Sequence, residues 1–518
     1  MVLLKSIATV GSLTMVSRLF GFVRDILIAA VLGAGMMADV FFVAFKFPNL
    51  FRRLFAEGAF NMAFVPIYAG ILEEKGEAAA GEFADQALAM LLWTLLGFVI
   101  AVELAMPWAM SAFAPGFRAD PEKFALAIEL TRITFPYLLF ISLVSLLAGV
   151  LNSLGKFAAA AATPILLNIC LIGAVLGLAP LTETPGHGLA WGVFAAGIVQ
   201  FIWLMSHAAR NGYAISISVP QLTDNVKLLL TRALPVALGA GVYQINLLID
   251  TIIASLLPEG SISYLFYADR VNQLPLGVVG VAVGTALLPL LSRQLRAGDG
   301  GAALHSQNRA VEFSLLLTLP AAAALMIIAE PLVVTLFQRG AFAAPEARAT
   351  AAALAVYAAG LPAYVLAKAL APGFFARGDT ATPVKISVFA LLANLILNLL
   401  LMGPFLHVGI AAATAIASWL NVGLMAYVLH RRGHLSADAR LKSRTLKTLL
   451  ATIGMATALY YMGGPLVGLF EGAEIDRALA LAVLVGGGLV VFAGLAQLTG
   501  AAKLSDVKGL YRGGPKAP

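Results

Sequence analysis

The chain contains an apolar stretch that is long enough to cross a membrane and that carries two arginines. Residues 17–35 read SRLFGFVRDILIAAVLGAG, with Arg18 and Arg24 inside the stretch and Asp25 after the second arginine. A charge at the bilayer centre costs about 2.5–3.5 kcal/mol on the insertion scale. The stretch therefore predicts a membrane helix whose charges are compensated within the protein or by something that the protein binds.

The composition extends this reading to the whole chain. Of the 518 residues, 60% are hydrophobic and 12% are charged, whereas soluble chains carry about 25% charged residues. Apolar runs recur from end to end, which predicts an all-α polytopic membrane protein. The single cysteine, Cys170, excludes a disulfide within the chain and a metal site built from cysteines.

The apolar runs predict fourteen transmembrane helices, and an even number places both termini on one side of the membrane. The second span is interrupted around residues 46–58, KFPNLFRRLFAEG. The predicted spans are 5–31, 36–72, 84–113, 124–152, 158–179, 188–208, 226–256, 262–292, 308–337, 349–375, 382–403, 407–430, 443–464 and 478–500.

The distribution of basic residues predicts the orientation. Of the 34 Lys and Arg residues, 21 fall in the loops and tails on the side of the termini, 5 fall on the other side, and eight lie in spans. Cytoplasmic loops carry the excess of Lys and Arg, so both termini are predicted to be cytoplasmic. The net charge of +7 is then explained by topology, and a nucleic-acid partner is not indicated.

Two halves of the chain repeat the same features about 220 residues apart. GAGMMADVFFVAFKFPN at 33–49 resembles PEGSISYLFYADRVNQLP at 258–275, and AFVPIY at 63–68 resembles ALLPLL at 286–291. Six spans per copy give both copies the same topology, as in transporters whose two lobes rock around a central cavity. We predict an N-terminal lobe at 1–210, a C-terminal lobe at 211–435, and two additional helices with a cytoplasmic tail at 436–518.

The predicted spans of the first lobe hold more positive than negative charge. Neither Arg18 with Asp25 nor Asp39 with Lys46 has the i,i+4 spacing of a local ion pair. Pairing between helices is one interpretation, and a water-filled cationic cavity is the other. Because the planar guanidinium binds phosphate oxygens in pairs, the cavity would suit a diphosphate. These charged residues are Arg18, Arg24, Lys46, Arg52 and Arg53 against Asp25, Asp39 and Glu57.

Three further features bear on this hypothesis. Gly21 lies between the two arginines of the first span and would allow a bend that turns both inward. Arg270, next to Asp269, stands in the second lobe at the repeat position of Lys46. The last two spans lie outside the repeat and carry almost no charge in their centres, so they form either an apolar groove for a lipid tail or peripheral packing.

Three stretches resemble the MurJ (MviN) family of bacterial lipid II flippases, in the multidrug/oligosaccharidyl-lipid/polysaccharide exporter superfamily. They are the opening stretch, ADVFFVAFKFPNLFRRLFAEGAFNMAFVPIY at 38–68, and ADRVNQLPLGVVGVAVGTALLPLLS at 268–292. The resemblance implies that lipid II is moved from the inner to the outer leaflet of the cytoplasmic membrane. It also implies substrate-binding roles for Arg18, Arg24, Arg52 and Arg270, and importance for the charged residues Lys46, Arg53, Asp39, Glu57 and Asp269.

The resemblance further suggests a sodium site in the second lobe, and no other cofactor. Its predicted ligands carry oxygen, which suits a hard cation; a second carboxylate is absent from the set. Hydrogen bonding between membrane helices is the alternative interpretation of the two asparagines. The residues concerned are Asp250, Asn394, Asn398 and Thr414.

Other functions compete with this reading. A multidrug antiporter for organic cations should carry an acidic cavity, and here the excess is basic. A flippase for another polyprenyl-diphosphate saccharide fits the charges equally well. Only the family resemblance distinguishes it from a lipid II flippase. A membrane enzyme would need clustered acids or a nucleophile with its base, and none is evident. The expected partners are lipid II, membrane lipids and proteins of cell-wall synthesis.

Overall fold

The structure, a computed structural model, describes residues 2–55, 59–216 and 219–502. Over these ranges the chain forms sixteen α-helices joined by turns and short 3₁₀ or π segments, and it forms no strand. The helices are α1 (Val2–Leu32), α2 (Met36–Phe55), α3 (Ala59–Leu104), α4 (Met106–Phe113), α5 (Pro121–Thr134), α6 (Tyr137–Ser153), α7 (Phe157–Gly173), α8 (Pro185–Arg210), α9 (Asp224–Ser255), α10 (Ser261–Arg296), α11 (Gly300–Ile327), α12 (Ala329–Phe337), α13 (Ala344–Phe375), α14 (Ala381–Arg431), α15 (Ala439–Phe470) and α16 (Glu474–Thr499).

Each predicted span coincides with one or more of these helices. Two helices are kinked into two arms, α3 at Gly76 and α14 at Leu406. The kink in α14 falls between the two spans predicted at 382–403 and 407–430. Within the described residues, nine helical segments are long and apolar enough to cross a membrane by length and composition. The all-helical membrane architecture predicted from the sequence is therefore confirmed.

The first helix runs through Gly21, the glycine at which a bend is predicted, without a break. The structure shows α1 as a helix from Val2 to Leu32, with no break at Gly21. A methyl group added at Gly21 would lie 3.5 Å from the nearest atom, the Asn168 side-chain nitrogen, which is an ordinary contact. The helix therefore continues through this position in the structure, and the bend at Gly21 stays a prediction.

The second helix continues through Pro48 and ends at Phe55, inside the stretch 46–58 in which the interruption is predicted; residues 56–58 lie outside the described residues. Pro48 lies inside α2 and has no N–H to donate to the carbonyl of Ala44, four residues before it. The Thr134 hydroxyl of α5 donates to that carbonyl instead, at 2.8 Å. The Asn49 side chain also donates to the Phe45 carbonyl at 2.7 Å. These bonds satisfy the backbone around the proline, so the helix reaches Phe55.

The helices group into two compact units. The first comprises the chain up to Ser263 together with Arg339–Phe342. Its helices pack mainly as the pairs α1 with α7, α3 with α6, α6 with α8, α2 with α5 and α3 with α9. A cluster of aromatic rings fills part of its core, with centroids 4.9 Å apart for Phe47 and Phe113 and 5.2 Å apart for Phe51 and Phe98.

The second unit comprises Tyr264–Gln338 and the chain from Ala343 onward. Its main pairs are α13 with α14, α11 with α13, α15 with α16 and α11 with α15. The two additional helices pack on α11 through an apolar cluster that includes Ile328, Met455 and Leu484. The three-part division at residues 210 and 435 stays a prediction.

A buried carboxylate joins α15 to α11 at one end. Glu312 of α11 receives the guanidinium groups of Arg309, of Arg440 at 3.4 Å and of Arg444 at 3.1 Å. Arg309 also contacts Asp438, which precedes α15. Because a buried carboxylate is stable only when it is paired, this cluster holds the beginning of α15 against α11.

Candidate functional site

Arg24 of α1 lies buried in an ion pair with the residue next to it. Its Nη2 and Nε atoms donate to Asp25 Oδ1 at 2.7 and 3.0 Å, and Arg24 and Asp25 are 5% and 2% exposed. Its Nη1 atom donates to Asn168 Oδ1 of α7 at 2.9 Å. The side chain of Arg24 thus bonds to groups on two helices of the first unit, and the guanidinium has a defined orientation.

The other basic residues predicted for the first lobe are more accessible. Arg18 and Arg53 are exposed, and Lys46 and Arg52 are half-buried. The Arg52 Nε atom donates to Asn49 Oδ1 at 2.9 Å, within α2. Glu57 lies outside the described residues. The first unit therefore places one predicted arginine in a buried bonded network and presents others closer to solvent or lipid.

Asp39, another acid of the predicted set, lies buried among several hydrogen-bond donors. It is 1% exposed and accepts from Lys123 Nζ at 3.1 Å, from the Gly260 N–H at 2.8 Å, and from the N–H and hydroxyl of Ser263 at 3.0 and 2.7 Å. Gly260 and Ser263 flank the first residues of α10. Asp39 therefore satisfies N–H groups that have no partner within that helix, and Lys123 balances its charge.

A second contact connects the beginnings of the two repeat-related helices, α2 and α10. The Met36 N–H at the first residue of α2 donates to Glu259 Oε1 at 2.5 Å. Glu259 precedes α10, whereas Asp39 belongs to α2. Each helix is thus capped by an acidic side chain from the other segment. The repeated sequences at 33–49 and 258–275 meet at this point within the first unit.

In the second unit, Arg270 lies beside an aromatic ring. Its guanidinium carbon is 5.0 Å from the centroid of the Phe266 ring, one turn earlier in α10, and the side chain is half-buried. Asp269 accepts from the amide of Gln273. The stacking on Phe266 is a cation–π contact that orients Arg270. That Arg270 faces the same cavity as the arginines of the first unit stays a prediction.

The predicted sodium ligands belong to both units. Asn398 Nδ2 donates to Asn394 Oδ1 at 2.9 Å, and Asn394 Nδ2 lies 3.4 Å from Thr414 Oγ1. The Asn394–Thr414 bond connects the two arms of α14 in the second unit, whereas the Asn398–Asn394 bond joins residues one turn apart in the first arm. Asp250 belongs to the first unit, where Asn246 Nδ2 lies 3.4 Å from its Oδ2 atom. The Asn394–Thr414 bond is thus of the inter-helix kind expected from the alternative interpretation, and the sodium site stays a prediction.

The additional helices form one wall of an apolar cleft in the second unit. The cleft has a volume of about 220 Å³. It is lined by side chains of α11, α15 and α16, among them Leu316, Pro320, Leu459, Leu484 and Phe492. No titratable side chain belongs to the lining. A hydrocarbon chain therefore fits it, and a polar headgroup does not.

Two turns of the second unit, one after α13 and one after α14, are joined by an ion pair between Asp379 and Arg432. Hydrogen bonding by Thr382 and the nearby Arg432 guanidinium hold the pKa of Asp379 well below its usual range. Burial, followed by the charges of Arg377 and Arg432, lowers the pKa of His434. Asp379, in the turn after α13, therefore stays ionised near neutral pH, and His434, in the turn after α14, stays neutral; both turns are predicted to be cytoplasmic.

Sequence reasoning missed Asn168, Lys123 and Ser263. Asn168 is the polar side chain within the apolar run ILLNICLIG at 165–173, and an amide at that depth was a usable signal. Lys123 directly precedes the predicted span 124–152 and therefore lies outside the predicted spans. Its pairing with Asp39, 84 positions away, has no signature in a single sequence.

A family model matches most of the chain. The model for the lipid II flippase MurJ family covers residues 28–470. The chain belongs to this family. The family resemblance read from the sequence is thus confirmed, and the chain is a transporter and a multi-span helical membrane protein rather than an enzyme.

Individual MurJ relatives agree over nearly their full lengths. A probable lipid II flippase MurJ of Rhizobium meliloti is 46% identical over 530 aligned residues, which cover 100% of this chain and 98% of the relative. The lipid II flippase MurJ of Burkholderia cenocepacia is 37% identical, over 83% of this chain and 84% of the relative.

Solved structures show the same fold. A structure described as lipid II flippase MurJ in an inward closed conformation matches with a TM-score of 0.78 and 24% identity, covering 94% of this chain and 98% of that one. An inward-facing multidrug resistance MATE transporter of the MOP superfamily matches with a TM-score of 0.69 and 15% identity, over 84% and 98%.

Proposed function

We propose that the chain moves lipid II from the inner to the outer leaflet of the bacterial cytoplasmic membrane by alternating access. The observation that carries the proposal is the buried, oriented guanidinium of Arg24 in a membrane helix of a MurJ-family chain. A guanidinium binds two phosphate oxygens through a pair of charge-assisted hydrogen bonds. Arg24 thus has the chemistry to bind the diphosphate of lipid II.

The remaining predicted residues take supporting roles in this proposal. Arg18, Arg52 and Arg270 bind the same diphosphate within the central cavity, and Lys46 and Arg53 raise the positive potential there. Asp25 neutralises Arg24 when substrate is absent, because an unpaired buried charge is costly. Glu57 and Asp269 keep the importance for transport that the family resemblance implies. The sources of support are the excess of basic residues and the family resemblance.

Asp39 acts differently in this proposal. Its bonds to Lys123, Gly260 and Ser263 support a role in holding the beginning of α10 rather than in direct contact with the diphosphate. Asp39 therefore affects transport by fixing the beginning of α10 within the first unit and not by binding the substrate.

The lipid tail has a separate place in the proposal. The apolar cleft of α11, α15 and α16 binds part of the isoprenoid chain while the headgroup crosses the membrane inside the central cavity. The apolar lining and the volume of about 220 Å³ support this assignment. The cleft suits several methylene or isoprene units and leaves the rest of the tail in the bilayer.

The setting of the protein completes the proposal. The bias of Lys and Arg supports cytoplasmic termini. Sodium, bound by Asp250, Asn394, Asn398 and Thr414, or the membrane potential resets the empty carrier. The enzymes that make lipid II on the inner side and polymerise it on the outer side are the partners expected from the reaction sequence.

The proposal is tested in cells depleted of their own lipid II flippase and supplied with this chain. The expected result is that the wild-type chain restores access of lipid II to a probe added outside, and that Arg24→Ala, Arg18→Ala and Arg270→Ala lower it at least about tenfold. Normal outer-leaflet lipid II with all three variants would contradict the cationic site. Failure of the wild type, with rescue of an O-antigen flippase mutant, would assign a different polyprenyl-diphosphate saccharide.

A further inference from the structure

A buried amide in α7 contacts the arginine on which the proposed function depends. Asn168 is 5% exposed and lies within the apolar run ILLNICLIG at 165–173. Burying an amide in an apolar helix is unfavourable unless its polar atoms are bonded. Both polar atoms of Asn168 form hydrogen bonds with α1, so this residue fixes specific groups of α1 in addition to packing between the helices.

The two bonds of Asn168 hold the side chain and the backbone of α1 together. Asn168 Oδ1 accepts from Arg24 Nη1 at 2.9 Å, and Asn168 Nδ2 donates to the Ser17 carbonyl at 2.9 Å. Gly21 lies between these two contact points on α1 and leaves room for the amide, whose nitrogen is 3.5 Å from the place of a Gly21 methyl group. Only a side chain with both an acceptor and a donor makes this pair of bonds.

The amide complements Asp25 in fixing the guanidinium. Asp25 binds Nε and Nη2 of Arg24, whereas Asn168 binds Nη1. Two partners on different parts of the group fix the direction of its plane. Because the amide is neutral, it does so without a second negative charge that would compete with an incoming diphosphate.

We propose that Asn168 is a positioning residue that orients the guanidinium of Arg24 for the diphosphate of the transported lipid. This inference rests on the proposed function of Arg24. It predicts that Asn168 acts through Arg24 and that its loss weakens the recognition of two linked phosphates more than the recognition of one.

The variants separate orientation from charge. Asn168→Ala removes both bonds. Asn168→Asp keeps an acceptor for Arg24, loses the donor to Ser17 and adds a negative charge beside the guanidinium. Asn168→Gln keeps both donor and acceptor one methylene group further from the backbone, and we expect it to restore part of the function.

The experiment measures binding of undecaprenyl diphosphate and of undecaprenyl monophosphate to the purified full-length protein. The wild type should prefer the diphosphate. Asn168→Ala should weaken diphosphate binding about tenfold, as expected for a lost bond to a charged group, and should weaken monophosphate binding less. The ratio of the two affinities should fall further with Asn168→Asp and recover in part with Asn168→Gln.

Gln200 offers a matched control. It is a buried amide of α8, 1% exposed, that donates to the Thr163 carbonyl of α7 at 2.9 Å. Gln200→Ala thus removes the same kind of inter-helix bond without touching Arg24. A purely structural loss would affect both variants alike, so Gln200→Ala should leave the ratio of diphosphate to monophosphate affinity unchanged.

A double-mutant cycle identifies the route of the effect. In an Arg24→Ala background, Asn168→Ala should cause little further loss of diphosphate binding. An equal loss in both backgrounds, or an unchanged affinity ratio in Asn168→Ala, would overturn the positioning role while leaving the proposed function intact. Wild-type diphosphate binding by Arg24→Ala would overturn the proposed function itself. If Asn168→Ala does not fold, Asn168→Gln and Asn168→Asp give the same comparison.

Discussion

At the scale of single residues, buried charges of the first unit are held by partners from distant parts of the chain, as Asn168 holds Arg24 and Lys123 holds Asp39. The intramembrane arginines and acids stand out in the sequence because each is costly in an apolar span. Adjacent residues on a helix do not generally face each other, so the pairing of Arg24 with Asp25 went unforeseen. Asn168 lies 144 positions from Arg24, and only the folded chain brings the two together.

The Asp39–Lys123 pair gives a prediction about stability. Asp39→Ala would leave the Lys123 ammonium buried without a carboxylate and the beginning of α10 without its acceptor. Removing one member of a buried ion pair costs about 3–5 kcal/mol. We expect a clear fall in the thermal unfolding temperature of the purified protein, and a smaller fall for Asp39→Asn, which keeps an acceptor for the N–H groups.

Asp224 provides the control for Asp39. It forms a pair with Lys227 at 3.3 Å, but the side chains are 101% and 60% exposed, and such surface pairs contribute about 0–1 kcal/mol. Asp224→Ala should therefore barely change the unfolding temperature. Equal effects of Asp39→Ala and Asp224→Ala would show that the buried pair does not stabilise the first unit.

At the scale of helices, the positions of the spans were predictable from the sequence. Whether a helix continues through a proline inside a span was not. Hydrophobic runs mark each helix, since every span must cover the width of the bilayer. The continuity of α2 through Pro48 depends on the Thr134 hydroxyl, 90 positions away from Ala44. A proline reads as a break in a single sequence because the group that replaces the missing bond belongs to another helix.

The docking of α15 on α11 leads to a second prediction. Glu312→Ala would remove the carboxylate from between Arg309, Arg440 and Arg444, so that three like charges would repel one another. We expect α15 to detach more often from α11. Hydrogen exchange of the backbone amides should then become faster in α15 and α16 and stay unchanged in α13.

Two further variants, one intermediate and one control, test this prediction. Glu312→Gln keeps hydrogen-bond acceptors and should show an intermediate increase in exchange. Glu330→Ala removes an exposed acid of α12 and should leave the exchange of α15 as in the wild type. Wild-type exchange of α15 in Glu312→Ala would mean that the apolar contacts with Met455 and Leu484 hold the helix without the ion cluster.

At the scale of the complete protein, the sequence alone predicted a transporter. The substrate, lipid II, is proposed from the family match. The repeat and the excess of intramembrane Arg and Lys indicated a two-lobed carrier of an anion. Any polyprenyl-diphosphate saccharide has the same phosphates and the same kind of tail, so the charges could not select lipid II. The match to the MurJ family over residues 28–470 makes that selection.

We propose that this chain carries lipid II across a bilayer through the Arg24 guanidinium, which binds the diphosphate of the lipid. This proposal is tested most directly with purified protein in lipid vesicles that contain lipid II, under an imposed membrane potential and sodium gradient. The quantity measured is the rate at which lipid II becomes accessible on the opposite leaflet. Arg24→Lys keeps the positive charge and removes the planar fork.

We expect the wild type to transfer lipid II rapidly and Arg24→Lys to transfer it at a rate at least about tenfold lower. Gln200→Ala, which does not touch Arg24, should transfer lipid II as the wild type does. Vesicles with wild-type protein that move lipid II no faster than protein-free vesicles, or Arg24→Lys that moves it at the wild-type rate, would contradict the account.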